Sequence, residues 1–382
     1  MTHTRSERWA RLSVLALSAA VGLFVGGGYF LSSQGARPGT YEGLEVLAQA
    51  YSLVTTRFVE PVDDARLGGS SYRALAESCD AYSSYLSAKE VRELSKRRSP
   101  DADVGLDLVK QHGYAYIVSV RRGSPAEEAG IKPGQYVHSV GGGSTRAMTL
   151  HQVRSVLRGK PDTEVTLSLV DSGEGGEEKI TLKRRALSEE PVIQKRPEAR
   201  YIVPPPMAQS TLAAWKALLQ KTAPDLPLVL DLRRFVSQDF EAALEIADFL
   251  LEEGETARIK TVSEESVRFA EPERIDAPER LVFLVDGSTA GAPELLAAVL
   301  HEYAGATLVG DRTFGWGRAQ ELVELSSGAA LWISTREYFL AGGEPLEGQG
   351  LMPDRPQADD PETPEDEVLD AALSALKENA TS

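Results

Sequence analysis

A succession of strand and helix patterns between Leu226 and Thr335 limits the possible folds of this chain more than any other feature. Leu226-Pro227-Leu228-Val229-Leu230-Asp231-Leu232 is an almost unbroken apolar run of the kind that forms a buried strand. Phe240 to Leu250 then carries its apolar residues at helical spacing. Arg280-Leu281-Val282-Phe283-Leu284-Val285 predicts a second strand, and Pro293 to Tyr303 a helix. Proline suits the first turn of that helix, where a missing N–H costs nothing. Ala306-Thr307-Leu308-Val309, closed by Gly310, is a third strand, and Ala329 to Thr335 a fourth. Strands that alternate with helices predict a layered α/β domain.

The preceding stretch has a different texture. Residues 101–187 predict a small β-rich domain. Tyr114 to Val120 is rich in β-branched and aromatic residues, and Thr163 to Val170 alternates as a strand does. Between them, Ser124 to Gly134 predicts a short helix and a turn, and Thr149 to Leu157 a second helix. Residues 37–98 place Leu44, Leu47, Ala48, Tyr51 and Leu53 near helical spacing; read alone, Cys79 to Leu86 is the loop of a helix-loop-helix. Prolines 191, 197 and 204–206 mark the irregular entry to the α/β domain at 188–356. The segment 357–382 is acidic and ends in a short amphipathic helix through Val368, Leu369, Ala372, Leu373 and Leu376.

At the N-terminus Arg5, Arg8 and Arg11 precede an uncharged stretch from Leu12 to Ala36, closed by Arg37. Leu12 to Leu31 is long and apolar enough to cross a bilayer core of about 30 Å, and the basic flank favours an N-in orientation. The length favours a signal anchor at 1–36. A cleaved signal peptide ending near Ser33-Gln34-Gly35 is the alternative. Either places the bulk of the chain outside the cytoplasm, in a bacterial-type cell envelope with attachment to the inner membrane through residues 12–31. The net charge of −16 opposes nucleic-acid binding, which needs clustered Lys and Arg. Cys79 has no partner for an intramolecular disulfide. His3, His112, His138, His151 and His301 show no metal-ligand spacing, so neither metal nor cofactor is expected.

Two segments carry a more specific message: Val285-Asp286-Gly287-Ser288-Thr289-Ala290-Gly291-Ala292-Pro293-Glu294 and Gly310-Asp311-Arg312-Thr313-Phe314-Gly315-Trp316-Gly317-Arg318-Ala319-Gln320. Together they resemble the C-terminal processing peptidases (tail-specific proteases), PDZ-containing enzymes that use a Ser nucleophile and a Lys base. Phe58 to Asp63, Cys79 to Leu86 and Gly348-Gln349-Gly350-Leu351-Met352-Pro353-Asp354 extend the likeness over roughly 40–380. The resemblance implies an α/β peptidase-like core with an inserted β-rich PDZ domain and an N-terminal helical segment. In the PDZ domain, Val104-Gly105-Leu106 matches the loop whose N–H groups hold a peptide's terminal carboxylate, while Ala102 and Asp103 replace glycines and Gln135 an aspartate. Asp103 facing the groove would repel a carboxylate.

Aligned on Glu294 and the Thr-Phe-Gly turn, Gly291 falls at the family's serine and Trp316 at its lysine; Gln320 retains the family's glutamine. Gly291 has no side chain with which to attack, and the indole of Trp316 only donates. Arg318 stays protonated and makes an unsuitable base. After Asp231-Leu232-Arg233, the turn associated with the oxyanion site reads Arg234-Phe235-Val236-Ser237-Gln238, without the family's paired glycines and with a more restricted backbone. A Ser-Lys peptidase needs a hydroxyl, a neutral amine and oxyanion donors, so no catalytic residue is expected here. Ser288 is the alternative nucleophile, near His301, although a serine there more often caps a helix or turn.

The sequence thus points to an exported pseudopeptidase that binds protein C-termini or a partner protease. The alternatives are a serine endopeptidase acting through Ser288 and a PDZ binding module carried on a structural platform.

Overall fold

The computed structural model describes residues 40–96, 102–171, 176–221, 226–271, 280–360, 363 and 365–378. The expected anchor at 12–31 lies outside these residues, as does part of the acidic tail. Among the described residues, no helix is long and apolar enough to cross a membrane.

The chain divides into two units, residues 1–70 and 71–382. In the first, the helix Thr40–Arg57 has Leu44, Val46 and Leu53 on exposed positions, and the Tyr51 hydroxyl donates to the Asp64 carbonyl.

In the second unit, a six-stranded sheet runs in the order Arg355–Pro356, Thr307–Gly310, Leu281–Val285, Leu228–Asp231, Arg200–Val203, Val192–Lys195. All neighbours are parallel except the last pair. Strands covered on both faces need apolar residues at every position, and the central two show it. Leu228, Leu230 and Phe283 face the core shared with the helices Phe240–Asp248 and Ala292–Ala304. Val229, Val282 and Leu284 pack instead against Val368, Leu369 and Ala372 of the helix Glu367–Glu378. The predicted α/β layering is therefore present, with helices on both faces.

A second sheet was not expected from the sequence. It pairs Ser84–Leu86, Ala330–Phe339, Glu255–Lys260 and Glu265–Phe269, with Arg318–Glu324 alongside Ala330–Phe339. Ser84–Leu86 had read as a loop between helices; it is a strand because the partner strand supplies its ladder from Ala330 to Trp332. The polar alternation of Arg318–Glu324 hid that strand as well.

The PDZ domain forms its own sheet, in the order Leu106–Gln111, Tyr114–Val120, Tyr136–Val140, Glu164–Val170, Glu178–Lys183. Ser124 caps the short helix Pro125–Glu128, and Thr149 forms a capping box with Gln152 on the helix Leu150–Leu157. Leu106–Gln111 is an edge strand of this sheet, with Leu150–Leu157 flanking it.

Candidate functional site

The segments singled out in the sequence meet at the C-terminal ends of the central parallel strands, where the chain turns into the helix Ala292–Ala304. Ala290–Gly291 is a two-residue strand paired in parallel with Val236–Ser237, residue 236 opposite 290 and 237 opposite 291. This ladder joins the turn read as the oxyanion segment to the position read as the nucleophile's. Gly291 has φ +81°, and a Cβ built there would lie 2.1 Å from the Ser237 carbonyl oxygen. No real Cβ tolerates such a contact with backbone. The space a side chain would need is filled by main chain.

Glu294 holds this arrangement in place. It sits in the first turn of the helix, fully buried, and its two oxygens accept four hydrogen bonds. Oε2 accepts from the N–H of Gly291 (2.7 Å) and of Trp316 (2.9 Å); Oε1 accepts from the Gly315 N–H (2.7 Å) and the Thr313 hydroxyl (2.5 Å). Burial pushes this carboxyl above its ordinary value, and the hydrogen bonds offset part of the rise. One carboxylate thus ties the loop 313–316 to the helix start. The sequence signal was available: a Glu three residues after the cap position is the partner expected in a capping box.

Trp316 is 1% exposed. Its ring stacks on Tyr82 at 4.3 Å between centroids and 10° between planes, and its N–H donates to the Arg318 carbonyl. Val109 and Val118 of the PDZ domain and Ala290 complete an apolar cluster around it. Gln320 donates to the Arg318 carbonyl and the Ser334 hydroxyl, and makes no contact with Gly291 or Trp316 among its hydrogen bonds.

Ser288 is 5% exposed, and its hydroxyl donates to the Val118 carbonyl at 2.7 Å. Its own N–H is accepted by Asp286 Oδ1. His301 lies near the other end of the helix, with Nε2 3.0 Å from Asp354 Oδ1. The structure does not bring these two residues together.

The loss of glycine from the turn after Asp231 has a different outcome from simple restriction. Arg234 itself adopts the left-handed region at φ +61°, a conformation that costs a side-chain-bearing residue about 1–2 kcal/mol. Its N–H donates to Asp286 Oδ1, and its carbonyl accepts from the Ser119 hydroxyl. Just before it, Asp231 is fully buried and accepts from Arg122, Arg233 and Tyr201. Burial alone would raise this carboxyl, but the Arg233 hydrogen bonds and the Arg122 charge hold it below its ordinary value. Arg122 and Ser119 belong to the PDZ domain, so this cluster also fastens that domain against the site. The sequence placed Asp231 and Tyr82 only within matching segments, because the role of neither stands out until distant segments meet.

Asp103, just before the PDZ loop, lines a groove of about 290 Å³ walled by Leu106, Leu150 and Leu157 of the PDZ domain and, on the other side, by Tyr82, Val236 and Ser237. Gly105 has φ +87°, and a Cβ there would fall 2.2 Å from Ser124 Cβ. Glycine is required by that close approach. Asp103 Oδ1 accepts from the N–H groups of Val104 (2.6 Å) and Gly105 (3.1 Å).

Comparison with known proteins agrees with this architecture. The Peptidase family S41 model matches residues 201–356, and a PDZ domain model matches residues 116–171. The chain is 26% identical over 353 residues to a carboxy-terminal processing protease CtpA of Bacillus subtilis (strain 168), covering 90% of this chain and 75% of that protein. A carboxy-terminal-processing protease of Bartonella bacilliformis is 23% identical over 325 residues, covering 82% and 75%. Among solved structures, a photosystem II D1 C-terminal processing protease superposes with a TM-score of 0.70 at 24% identity, covering 85% of this chain and 89% of that one.

Proposed function

Because the chain is related to the C-terminal processing proteases of family S41, we propose that it is a catalytically silent relative acting by binding. The observation that carries this reading is the closure of the nucleophile position: the Ser237 carbonyl occupies the place of a Gly291 side chain. The buried stack of Trp316 on Tyr82 supports it, since an apolar plug stands where a base would be needed and offers no proton acceptor. Three elements of Ser-Lys chemistry are then absent together: hydroxyl, amine and an open oxyanion turn.

The PDZ domain suggests binding of peptide C-termini. In this proposal it takes the tails of other proteins or of a partner peptidase, and presents them on an S41-type platform. Residues 12–31 hold the chain at the inner membrane with the bulk outside the cytoplasm, on the strength of the apolar run and its basic flank. The intact mass of the native protein tests that placement: retention of residues 1–36 is expected, and a mature chain starting after Gly35 would contradict an anchor.

The catalytic proposal is tested with the full-length chain in detergent, incubated with unfolded casein beside its Ser288→Ala variant. No cleavage by either is expected. Cleavage by the wild type that disappears in the variant would identify Ser288 as a relocated nucleophile and overturn the proposal.

A further inference from the structure

A PDZ loop receives a peptide terminus because its N–H groups converge, unpaired, on the place where a carboxylate will sit. Here that place has an internal occupant. Asp103 Oδ1 takes both the Val104 and the Gly105 N–H, while Oδ2 accepts from Arg158 Nε at 3.1 Å. The residue is fixed by its backbone as well. Its N–H donates to the Arg185 carbonyl at 2.9 Å, and its carbonyl accepts from the Arg185 N–H at 3.1 Å. Ala102 is paired with Gly159 in the same way, at 3.0 and 2.9 Å.

Further along the groove, a backbone acceptor is taken as well. The Leu108 carbonyl, on the edge strand to which an incoming peptide strand would add, accepts from Arg154 Nη2 at 2.8 Å. Arg154 reaches it from the helix Leu150–Leu157 across the groove. Arg121 is committed to Asp107 through two hydrogen bonds of 3.0 and 2.8 Å. Two loop N–H groups and one edge carbonyl are therefore engaged from within the domain, and the Lys110 N–H of the same edge strand donates to the Ala81 carbonyl at 2.9 Å.

We propose that Asp103 is an internal counterpart of a chain terminus, latching the PDZ groove against free C-terminal carboxylates. The inference rests on the reading of this domain as a tail-binding module. An incoming carboxylate must displace Asp103 from two charge-assisted hydrogen bonds and cannot share the loop with it, because two like charges would then be brought together. Asp103 therefore competes intramolecularly with every tail. If the groove is free for 1% of the time, apparent affinity falls about a hundredfold. Arg158 strengthens the latch by holding the second oxygen.

The test is fluorescence anisotropy of the full-length chain with a labelled ten-residue peptide ending in Ala-Ala-Val, prepared as the free acid and as the amide. The wild type is expected to bind both forms equally weakly. Asp103→Ala gains at least tenfold for the acid and nothing for the amide. Asp103→Asn, which keeps an uncharged acceptor on the loop, gains less. A wild type that already prefers the acid tenfold or more overturns the latch while leaving tail binding intact. An Asp103→Ala variant that melts like the wild type and binds acid and amide alike overturns the latch, and with it the assignment of Val104-Gly105-Leu106 as a carboxylate loop.

Discussion

Adding a single methyl group at residue 291 should be among the most costly small changes available to this chain. In Gly291→Ala two penalties combine. At φ +81° and ψ −128°, a backbone region essentially confined to glycine, an L side chain costs about 1–3 kcal/mol in strain. The new Cβ would also start 2.1 Å from the Ser237 carbonyl oxygen, a backbone atom that cannot turn aside as a flexible side chain can. Relief requires the short ladder between 236–237 and 290–291 to part, at a cost typical of overpacking, about 1–3 kcal/mol. The sum is about 2–6 kcal/mol, a large fraction of the stability of an ordinary domain. Urea unfolding followed by tryptophan fluorescence reads it, since Trp316 sits beside the ladder in the same cluster as Ala290. A midpoint lowered at unchanged slope is expected. A variant with the wild-type midpoint would refute the claim that main chain fills this position. Gly291→Ser carries the same Cβ and should be destabilised to a similar extent, so restoring the hydroxyl disrupts the site before it can restore chemistry.

Trp316→Lys removes the stack on Tyr82 and puts an ammonium group among Val109, Val118 and Ala290, for a loss of about 3–5 kcal/mol by thermal or urea unfolding. Even the double variant Gly291→Ser/Trp316→Lys should leave casein intact over hours, and turnover by it would show that the oxyanion turn survives. The pH dependence of stability should carry the mark of Asp231. Its folded carboxyl titrates below the unfolded value of about 3.9, so its contribution is present above that pH and is lost as pH falls through the folded value. Unfolding midpoints between pH 6 and pH 3 should decline for the wild type. In Asp231→Asn that component is absent, and stability at neutral pH falls by about 3–5 kcal/mol because Arg122 and Arg233 lose their buried partner. A wild-type and variant difference that stays constant across this range would contradict the assignment.

The α/β core was legible because its strands announce themselves. Leu228 to Asp231 and Leu281 to Val285 are buried on both faces, so their apolar runs are unbroken, and Pro293 marks the helix start. Of the second sheet only Ala330–Phe339 was legible, as the strand expected at Ala329 to Thr335; others interrupt their apolar pattern with charge, as in Arg318-Ala319-Gln320-Glu321. Ser84–Leu86 is a strand only by virtue of a partner almost 250 residues away in sequence, a property no local pattern holds. At the site, the sequence places Gly291 and Trp316 at the positions read as the serine and the lysine. What filled the space was not stated: neither the Ser237 carbonyl nor the ring of Tyr82 can be read from a motif. The same holds at the PDZ loop. Asp103 could be recognised as a like charge near the loop read as a carboxylate site, but its capture of the Val104 and Gly105 N–H groups depends on a backbone path that only the folded loop defines.

The central claim of the proposal is that no serine among the described residues is activated, and a fluorophosphonate probe addresses it most directly. Such a probe forms a covalent bond only where a serine hydroxyl is deprotonated by a neighbouring base and its oxyanion is stabilised. The intact mass of the full-length chain after treatment should be unchanged, because Ser288 donates its proton to the Val118 carbonyl and residue 291 has no hydroxyl. A single stoichiometric adduct that maps to Ser288 and is absent from Ser288→Ala would contradict the account.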